Sequence, residues 1–565
     1  MTAARIEPVS NAIDRTSGLV IKLVMVALAL KIVTLFALAL NTRFVMDEFW
    51  QFHQAYYVFN GIFETIWPEK TVFYVAVFKI AGVLGNDAVS ELLIARVLSA
   101  GLATLLVGVV YLTSRTLGHT RFQALLVAVL LLSFSTFIER SFRLRSEPVA
   151  ILFAATAVWV VVRAPADRVR TLLIAGFLSG LAFVSTQKSV YFNVALGAGL
   201  VIDALASLNI RSALVRSALL ILGWIAAVVS YAVMFGGGDA LRVLQLTFFG
   251  PLEVATTAQS YYADLRVYLY QTLSRNALLY LLCFCGVGLQ AVRFMKLRSG
   301  DRIHLVATLV MALLVFTHNQ PWPYVFTMVL PFLAPYAMIV YRRLSEVSAR
   351  ANVLLLVFAA LITISCVRNV QYFDHDNRAQ LSVVRMAESL TGQDDTYFDG
   401  IGMLPNRTMQ PYSWLDAMWV HKTREAGADS DLMRGLEQHY PAVIIQSYRT
   451  KALAELLEPL IAQSYVAVGN NILVPGRRLD ADQTQVLNVL QTKTFTAINS
   501  ATGAPLDSIT VDGESRPVPL RLPAGEYSLT SPEGVPVWFV PEGSPLKPTT
   551  APTEQEALFE RVYSF

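Results

Sequence analysis

Long apolar blocks fill the first two thirds of the chain and stop near residue 370. A bilayer core takes about 20 apolar residues as a helix. Blocks of that kind predict spans near 18–40, 91–112, 122–138, 147–163, 171–187, 190–208, 213–235, 276–292, 303–317, 322–340 and 351–369, eleven in all. Several are short, which fits helices that tilt or break near a site. The stretch 72–84 is too short to cross and is expected along the interface. The first block is longer than a signal-peptide core and lacks a small-residue cleavage site, so it reads as a retained membrane helix. Residues 371–565 hold no membrane-length run. Helices are expected at 376–390 and 448–460, and strands at 396–398 and 442–446. A hairpin is expected at 465–474, turned at 469–471. Further strands are expected at 508–511, 517–522, 525–529 and 536–540, where alternating segments are punctuated by Gly and Pro. The predicted fold class is a polytopic α-helical membrane protein with a C-terminal extracytoplasmic α/β plus β domain. Its parts are a membrane domain over 1–370, an α/β domain over 371–490 and a β-rich module over 491–565.

Composition agrees with this pattern. Hydrophobic types make up 55% and charged types 15% of 565 residues, whereas a soluble domain carries about 25% charged residues. Three cysteines, all in apolar blocks, exclude a disulfide scaffold. The net charge of +4 says little; its placement says more. With the N-terminus in the cytoplasm, the inner loops collect Arg115, Arg121, Arg163, Arg168, Arg170, Arg211, Arg216, Arg293, Lys296, Arg298, Arg302, Arg342, Arg343 and Arg350. That is the expected bias of cytoplasmic loops toward cations. An odd number of spans then puts the tail outside. No basic tract is interleaved with exposed aromatics, which sets nucleic acid aside as a partner.

The outer loops break the bias, and they hold the candidate chemistry. Asp47 and Glu48 follow the first span, in an outer loop that runs over 42–70. A carboxylate at the mouth of a dry cavity can act as general base toward a hydroxyl or amine; the plainer reading is a solvated pair that ends a helix. Trp50, His53 and Tyr56 read equally as the lining for a polar ring or as an interfacial aromatic belt. Arg140, Arg143 and Arg145 form a basic outer segment with Glu139 and Glu147. If it is helical, Glu139, Arg143 and Glu147 share a face, leaving Arg140 and Arg145 for a phosphate; internal pairing and plain surface charge are the alternatives. Lys188 and His318 are further donors for the same phosphate. Gln320, Trp322 and Tyr324 open a span carrying Pro321, Pro323, Pro331 and Pro335, a density that points to a helix broken around a cavity.

Together these residues resemble the polyprenyl- or dolichyl-phosphate-sugar-dependent glycosyltransferases of the GT-C superfamily. The likeness is to the protein O-mannosyltransferase and lipid A aminoarabinose transferase type. It rests on the acidic pair Asp47-Glu48 and on the segment Phe142-Arg143-Leu144-Arg145-Ser146-Glu147-Pro148. It rests also on Gly180-Leu181-Ala182-Phe183 followed by Thr186 and Lys188, and on the Tyr- and Pro-rich span from Trp322 to Pro335. It covers roughly residues 18–370. The resemblance implies an inverting glycosyltransferase whose donor is a polyprenyl-phosphate-linked sugar and whose acceptor is an extracytoplasmic glycan, lipid or protein. It implies Asp47 as the base, Glu48 beside it, and Arg140, Arg143, Arg145, Lys188 and His318 around the departing phosphate. Trp50, His53, Tyr56, Glu147, Gln320, Trp322 and Tyr324 would line the substrate. Some members of the superfamily use a divalent cation such as Mg2+ or Mn2+, for which Asp47, Glu48 and Glu147 are the oxygen donors available. Two other classes fit the pattern: a transporter or flippase of a lipid-linked or anionic substrate, and a non-catalytic subunit of envelope polysaccharide assembly. Compact loops and the absence of an organelle signal favour a bacterial plasma membrane.

Overall fold

A computed structural model describes residues 9–60, 71–164, 168–257, 265–347, 352–469, 471–532, 534–542, 544 and 558–559. The chain forms two compact units. One takes Met1–Thr42, Trp67–Phe78 and Ala95–His375; the other takes Arg43–Ile66, Lys79–Ile94 and Asp376–Phe565.

The first unit is helical. Among the described residues of the chain, eight helices are long and apolar enough to cross a membrane: Gly18–Asn41, Ala88–Thr116, Ser146–Arg163, Gln187–Ala206, Ile210–Phe249, Ser299–Phe316, Pro323–Glu346 and Asn352–Asp374. Helices Arg266–Arg275 and Ala277–Ala291 form a ninth candidate, bent by 87° at their joint. Val75–Leu84, Arg121–Leu131 and Val169–Ser185 are apolar but shorter. The predicted span 122–138 is interrupted, because the helix stops at Leu131 and restarts at Ser135. The proline-rich span is a chain of short pieces, Pro323–Phe326, Leu330–Leu333, the 3-10 turn Ala334–Tyr336 and Ala337–Val347. Proline removes a backbone donor and leaves a carbonyl to be satisfied elsewhere. After the first piece, the Thr327 hydroxyl donates to the Tyr324 carbonyl at 2.6 Å.

Lipid tails give no hydrophobic reason for apolar helices to associate, so close packing must hold them together. Helices Val169–Ser185 and Ile210–Gly236 meet backbone to backbone. A Cβ added at Gly176 would stand 2.1 Å from the Leu220 carbonyl oxygen, and one at Gly223 would stand 2.3 Å from that of Leu173. Only glycine permits this approach from either side.

The second unit carries the sheets. Strands β1 (Thr396–Phe398), β2 (Thr408–Met409), β3 (Val443–Ile445), β4 (Tyr465–Gly469) and β5 (Ile472–Pro475) form one sheet in the order β2-β1-β3-β5-β4. β1 runs parallel to β2 and β3, and the rest pair antiparallel. The remaining strands are β6 (Arg477–Leu479), β7 (Thr484–Val489), β8 (Lys493–Asn499), β9 (Ser508–Val511), β10 (Glu514–Pro517), β11 (Leu520–Leu522), β12 (Gly525–Thr530) and β13 (Val537–Pro541). They make two antiparallel four-stranded sheets, β10-β9-β12-β7 and β11-β8-β13-β6.

The loop expected over 42–70 contains a helix, Met46–Phe59, and residues 61–70 lie outside the described residues. This helix belongs to the second unit and is bound there by its polar and aromatic face. Tyr57 donates its hydroxyl to the Met409 carbonyl at 2.8 Å and accepts the Met409 N–H at 2.9 Å. Trp50 stacks on Trp414 with ring centroids 4.7 Å apart. Just ahead of the helix, Phe44 exchanges two hydrogen bonds with the Gln380 amide, at 2.7 and 3.0 Å.

Candidate functional site

The site in the first unit begins where helix Ser135–Arg140 ends. From Ser141 the chain turns, and the next helix, Ser146–Arg163, starts with Pro148 in its first turn, where no backbone donor is needed. The segment 139–147 is therefore not one helix, and the face shared by Glu139, Arg143 and Glu147 does not form. Phe142 and Leu144 are buried. Two guanidinium groups approach the Phe142 ring, Arg143 at 4.9 Å and Arg96 at 5.6 Å from its centroid. Ser99 donates to the Arg143 carbonyl at 3.0 Å, and Arg143 Nε donates to the Glu139 carbonyl at 3.1 Å. Arg96, 0% exposed, also donates to the Ala39 carbonyl at 3.1 Å. It ties this turn to the end of the first membrane helix.

The turn delivers Arg145 and Glu147 to one place. Arg145 Nε lies 3.1 Å from Glu147 Oε2, and Lys188 Nζ lies 3.0 Å from Glu147 Oε1. Lys188 arrives on the 3-10 turn Gln187–Ser189 that joins two membrane helices. Both cations sit over the ring of Tyr324, Arg145 at 3.7 Å and Lys188 at 4.2 Å from its centroid. The face of an aromatic ring attracts cations, more strongly when water is excluded. The Glu147 side chain is 2% exposed and that of Lys188 is 33% exposed, so Lys188 is the cation a ligand reaches. The phenol of Tyr74 is close enough to feel both Glu147 and Arg145; burial pushes it up, so it stays neutral. His318 bonds Tyr191 through Nδ1 at 2.8 Å. Burial, helped by the charge on Lys188, holds His318 below its usual range.

Arg140 belongs to an adjoining network. Its guanidinium is 3.9 Å from Glu139, which also pairs with Arg275 at 3.1 Å and accepts the Tyr372 hydroxyl. Trp322 stacks on Tyr268 with centroids 5.4 Å apart, and Gln320 is exposed. Against Glu139 and Glu147 stand Arg140, Arg143, Arg145, Lys188 and Arg275, so the region keeps an excess of positive charge. Tyr74, Arg96, Tyr191 and Arg275 were not singled out from the sequence. An arginine inside an apolar span is itself a signal of function or of internal pairing, and Arg96 carried that signal.

The acidic pair lies in the second unit, at the start of helix Met46–Phe59. Glu48 is buried, and its Oε2 accepts the Val45 N–H at 2.8 Å, closing the first turn. Asp47 is half-buried one residue earlier, beside Met46, whose sulfur accepts the Tyr448 hydroxyl at 3.3 Å. Trp50, His53 and Tyr56 project toward residues of the same unit. Besides Trp414, Trp50 meets Tyr412 at 5.2 Å; Tyr56 bonds the Thr408 hydroxyl at 3.2 Å. His53 Nε2 donates to the Arg407 carbonyl at 2.9 Å, while its buried Nδ1 has no hydrogen-bond partner among the described residues. Among the described residues, no group of three or more His, Cys, Asp and Glu side chains is placed to hold a metal ion. Both Glu147 oxygens already face cations, which would repel a metal ion at that carboxylate.

The family described as Domain of unknown function DUF7056 matches residues 421–474. No curated protein sequence matches the chain. By structure, the chain is similar to ArnT from Cupriavidus metallidurans in the apo state, with a TM-score of 0.55 and 13% identity over 79% of this chain and 96% of that one. It is similar also to the same protein bound to undecaprenyl phosphate, with a TM-score of 0.53 and 14% identity over 80% of this chain and 98% of that one. A further match is the apo oligosaccharyltransferase of Archaeoglobus fulgidus, with a TM-score of 0.48 and 14% identity over 89% of this chain and 76% of that one. At such identities the likeness is one of fold. The chain has the GT-C-like architecture, a multi-pass helical membrane domain followed by a C-terminal domain of mixed and antiparallel open sheets.

Proposed function

We propose that this protein is a membrane glycosyltransferase that moves a sugar from a polyprenyl-phosphate donor to an extracytoplasmic acceptor. The observation that carries the reading is the Arg145–Glu147–Lys188 cluster on Tyr324, in a chain of GT-C-like fold. A lipid phosphate suits it: Lys188 is reachable and Arg145 is held in place. The ArnT structure with undecaprenyl phosphate supports a donor of that class.

In this reading Asp47 takes the proton of the acceptor hydroxyl or amine. The acceptor attacks the anomeric carbon from the face opposite the phosphate, which inverts it. The bond from that carbon to the phosphate oxygen breaks, the electron pair stays on the oxygen, and Lys188 and Arg145 stabilise the charge that develops there. The proton leaves Asp47 for water, and polyprenyl phosphate is the second product. No step is assigned to a metal.

The test has two arms. Native mass spectrometry of the purified protein should show bound polyprenyl phosphate, and Lys188→Gln should lose most of it. Mass spectrometry of envelope lipids and glycans, with and without the gene, should show one sugar-bearing species disappear. Absence of lipid phosphate from the wild type together with an unchanged glycan profile would end the proposal.

A further inference from the structure

In the mixed sheet of the second unit, β1 and β3 run side by side and parallel, with Phe398 paired to Ile444. Paired residues on neighbouring strands share a face of the sheet, and these two form the buried floor of a cavity of about 280 Å3. Phe398 is the last residue of β1. Gln446, two residues past Ile444 and so on the same face, lines the cavity just beyond the end of β3. The crevice outside the carboxyl ends of parallel strands is where α/β sheets bind ligands. Helix Ala454–Ser464 covers this crevice, and its residues Ala454, Leu457, Glu458 and Ile461 line it. That is the i, i+3, i+4, i+7 spacing of one helix face, normally an apolar stripe, and Glu458 breaks it. Lys451, which also lines the cavity, ends the preceding short helix Tyr448–Lys451. The start of that helix is fixed by Thr450, whose hydroxyl accepts the Ser447 N–H at 2.8 Å and donates to the Ser447 carbonyl at 2.9 Å. Lys451 and Glu458 are exposed at the rim, and among the described residues neither has an ion pair.

We propose that this cavity binds a free α-amino acid with an apolar side chain. The side chain enters over Phe398 and Ile444, the carboxylate meets Lys451 and the ammonium meets Glu458. Pockets for drug-sized ligands run from about 300 to 1,000 Å3, so the occupant here is small. Its charge follows from the rim. A simple carboxylic acid would satisfy Lys451 and bring a like charge toward Glu458, and a simple amine would do the reverse. A zwitterion satisfies both. The proposal does not rest on the glycosyl transfer argued above.

Isothermal titration calorimetry of the full-length protein in detergent tests it with three probes of one carbon skeleton. They are L-leucine, 4-methylpentanoate, which lacks the ammonium, and 3-methylbutylamine, which lacks the carboxylate. Leucine should bind about fivefold more tightly than either, the upper value for one partly exposed ion pair. Lys451→Met should weaken leucine and the acid about fivefold and spare the amine. Glu458→Gln should weaken leucine and the amine and spare the acid. Both side chains are exposed, so both variants should fold. Along alanine, 2-aminobutyrate and norvaline, affinity should rise about fourfold per methylene. Absence of saturable leucine binding at millimolar concentration, or equal affinity for the three probes, overturns the proposal. If both variants lose all three probes alike, Lys451 and Glu458 only shape the cavity and the zwitterion assignment falls.

Discussion

Lys188 and Glu147 meet at 3.0 Å although 41 residues separate them, and the contact joins the turn between two membrane helices to the first turn of a third. A carboxylate this deeply buried is tolerated only while its cations are present. Removing one partner of a buried pair costs about 3–5 kcal/mol, whereas removing both charges can be nearly neutral. Arg145→Met should therefore lower stability by about 3 kcal/mol. Arg145→Met/Glu147→Gln should recover most of the loss. Thermal unfolding in detergent, followed on both variants, checks this; equal destabilisation of the single and double variants would show that Arg145 acts through packing alone.

The two acidic neighbours should separate by phenotype. Asp47→Asn keeps the size of the side chain and removes the base, so the protein should fold, bind donor and lose transfer by about two to four orders of magnitude. Glu48→Ala removes the acceptor for the Val45 N–H and should cost about 1 kcal/mol of stability. Glu48→Gln still offers an oxygen to that N–H and should cost less. The measurement is sugar transfer from purified lipid donor, with donor affinity on the same preparations. Near-normal transfer by Asp47→Asn would remove Asp47 from catalysis.

His53 gives the second unit a pH dependence. Burial lowers its pKa from the usual 6.5 to about 4. The folded chain thus keeps it neutral where the unfolded chain protonates it. Its contribution is complete above pH 6.5 and is lost as the pH falls toward 4. The loss amounts to about 3 kcal/mol, because each pKa unit is worth about 1.4 kcal/mol. His53→Gln should flatten this part of the stability profile. Melting temperatures across that window, compared between the two proteins, decide it; parallel curves would show that other groups set the acid limit.

Topology follows from the basic loops. A reporter inserted at residues 295–300 should lie in the cytoplasm, and one placed after residue 380 should lie outside. Accessibility labelling of single introduced cysteines distinguishes the two sides. Finding both positions on the same side would overturn this topology.

The membrane helices were legible because twenty apolar residues in a row carry a strong signal and tolerate little else. The helix Met46–Phe59 was not: its aromatic residues alternate with polar ones, and its partners Met409, Tyr412 and Trp414 lie more than 300 residues further along the chain. The pairing of Glu147 was misread for a local reason. Helical spacing would give Arg143 to Glu147, but the turn at Ser141–Arg145 brings Arg145 instead, and nothing in the spacing announces Lys188 as the second partner. In the tail, the hairpin of β4 and β5 stood out by its apolar arms and its turn. Strands β6, β7 and β8 were missed because charged and polar residues such as Arg477, Arg478, Gln485 and Lys493 interrupt their alternation.

Helix Met46–Phe59 has a consequence for how the chain can be cut. The second unit owns two pieces of the N-terminal half, Arg43–Ile66 and Lys79–Ile94, as well as everything from Asp376 onward. A fragment beginning at residue 376 would leave Tyr412 and Trp414 without Trp50, and Met409 without the Tyr57 hydroxyl. It would emerge with a bare aromatic face and an unpaired strand edge, the two features that drive aggregation. During synthesis the early pieces must wait, already threaded between membrane segments, until more than 300 later residues have left the ribosome. The tail is a domain in space but not in sequence.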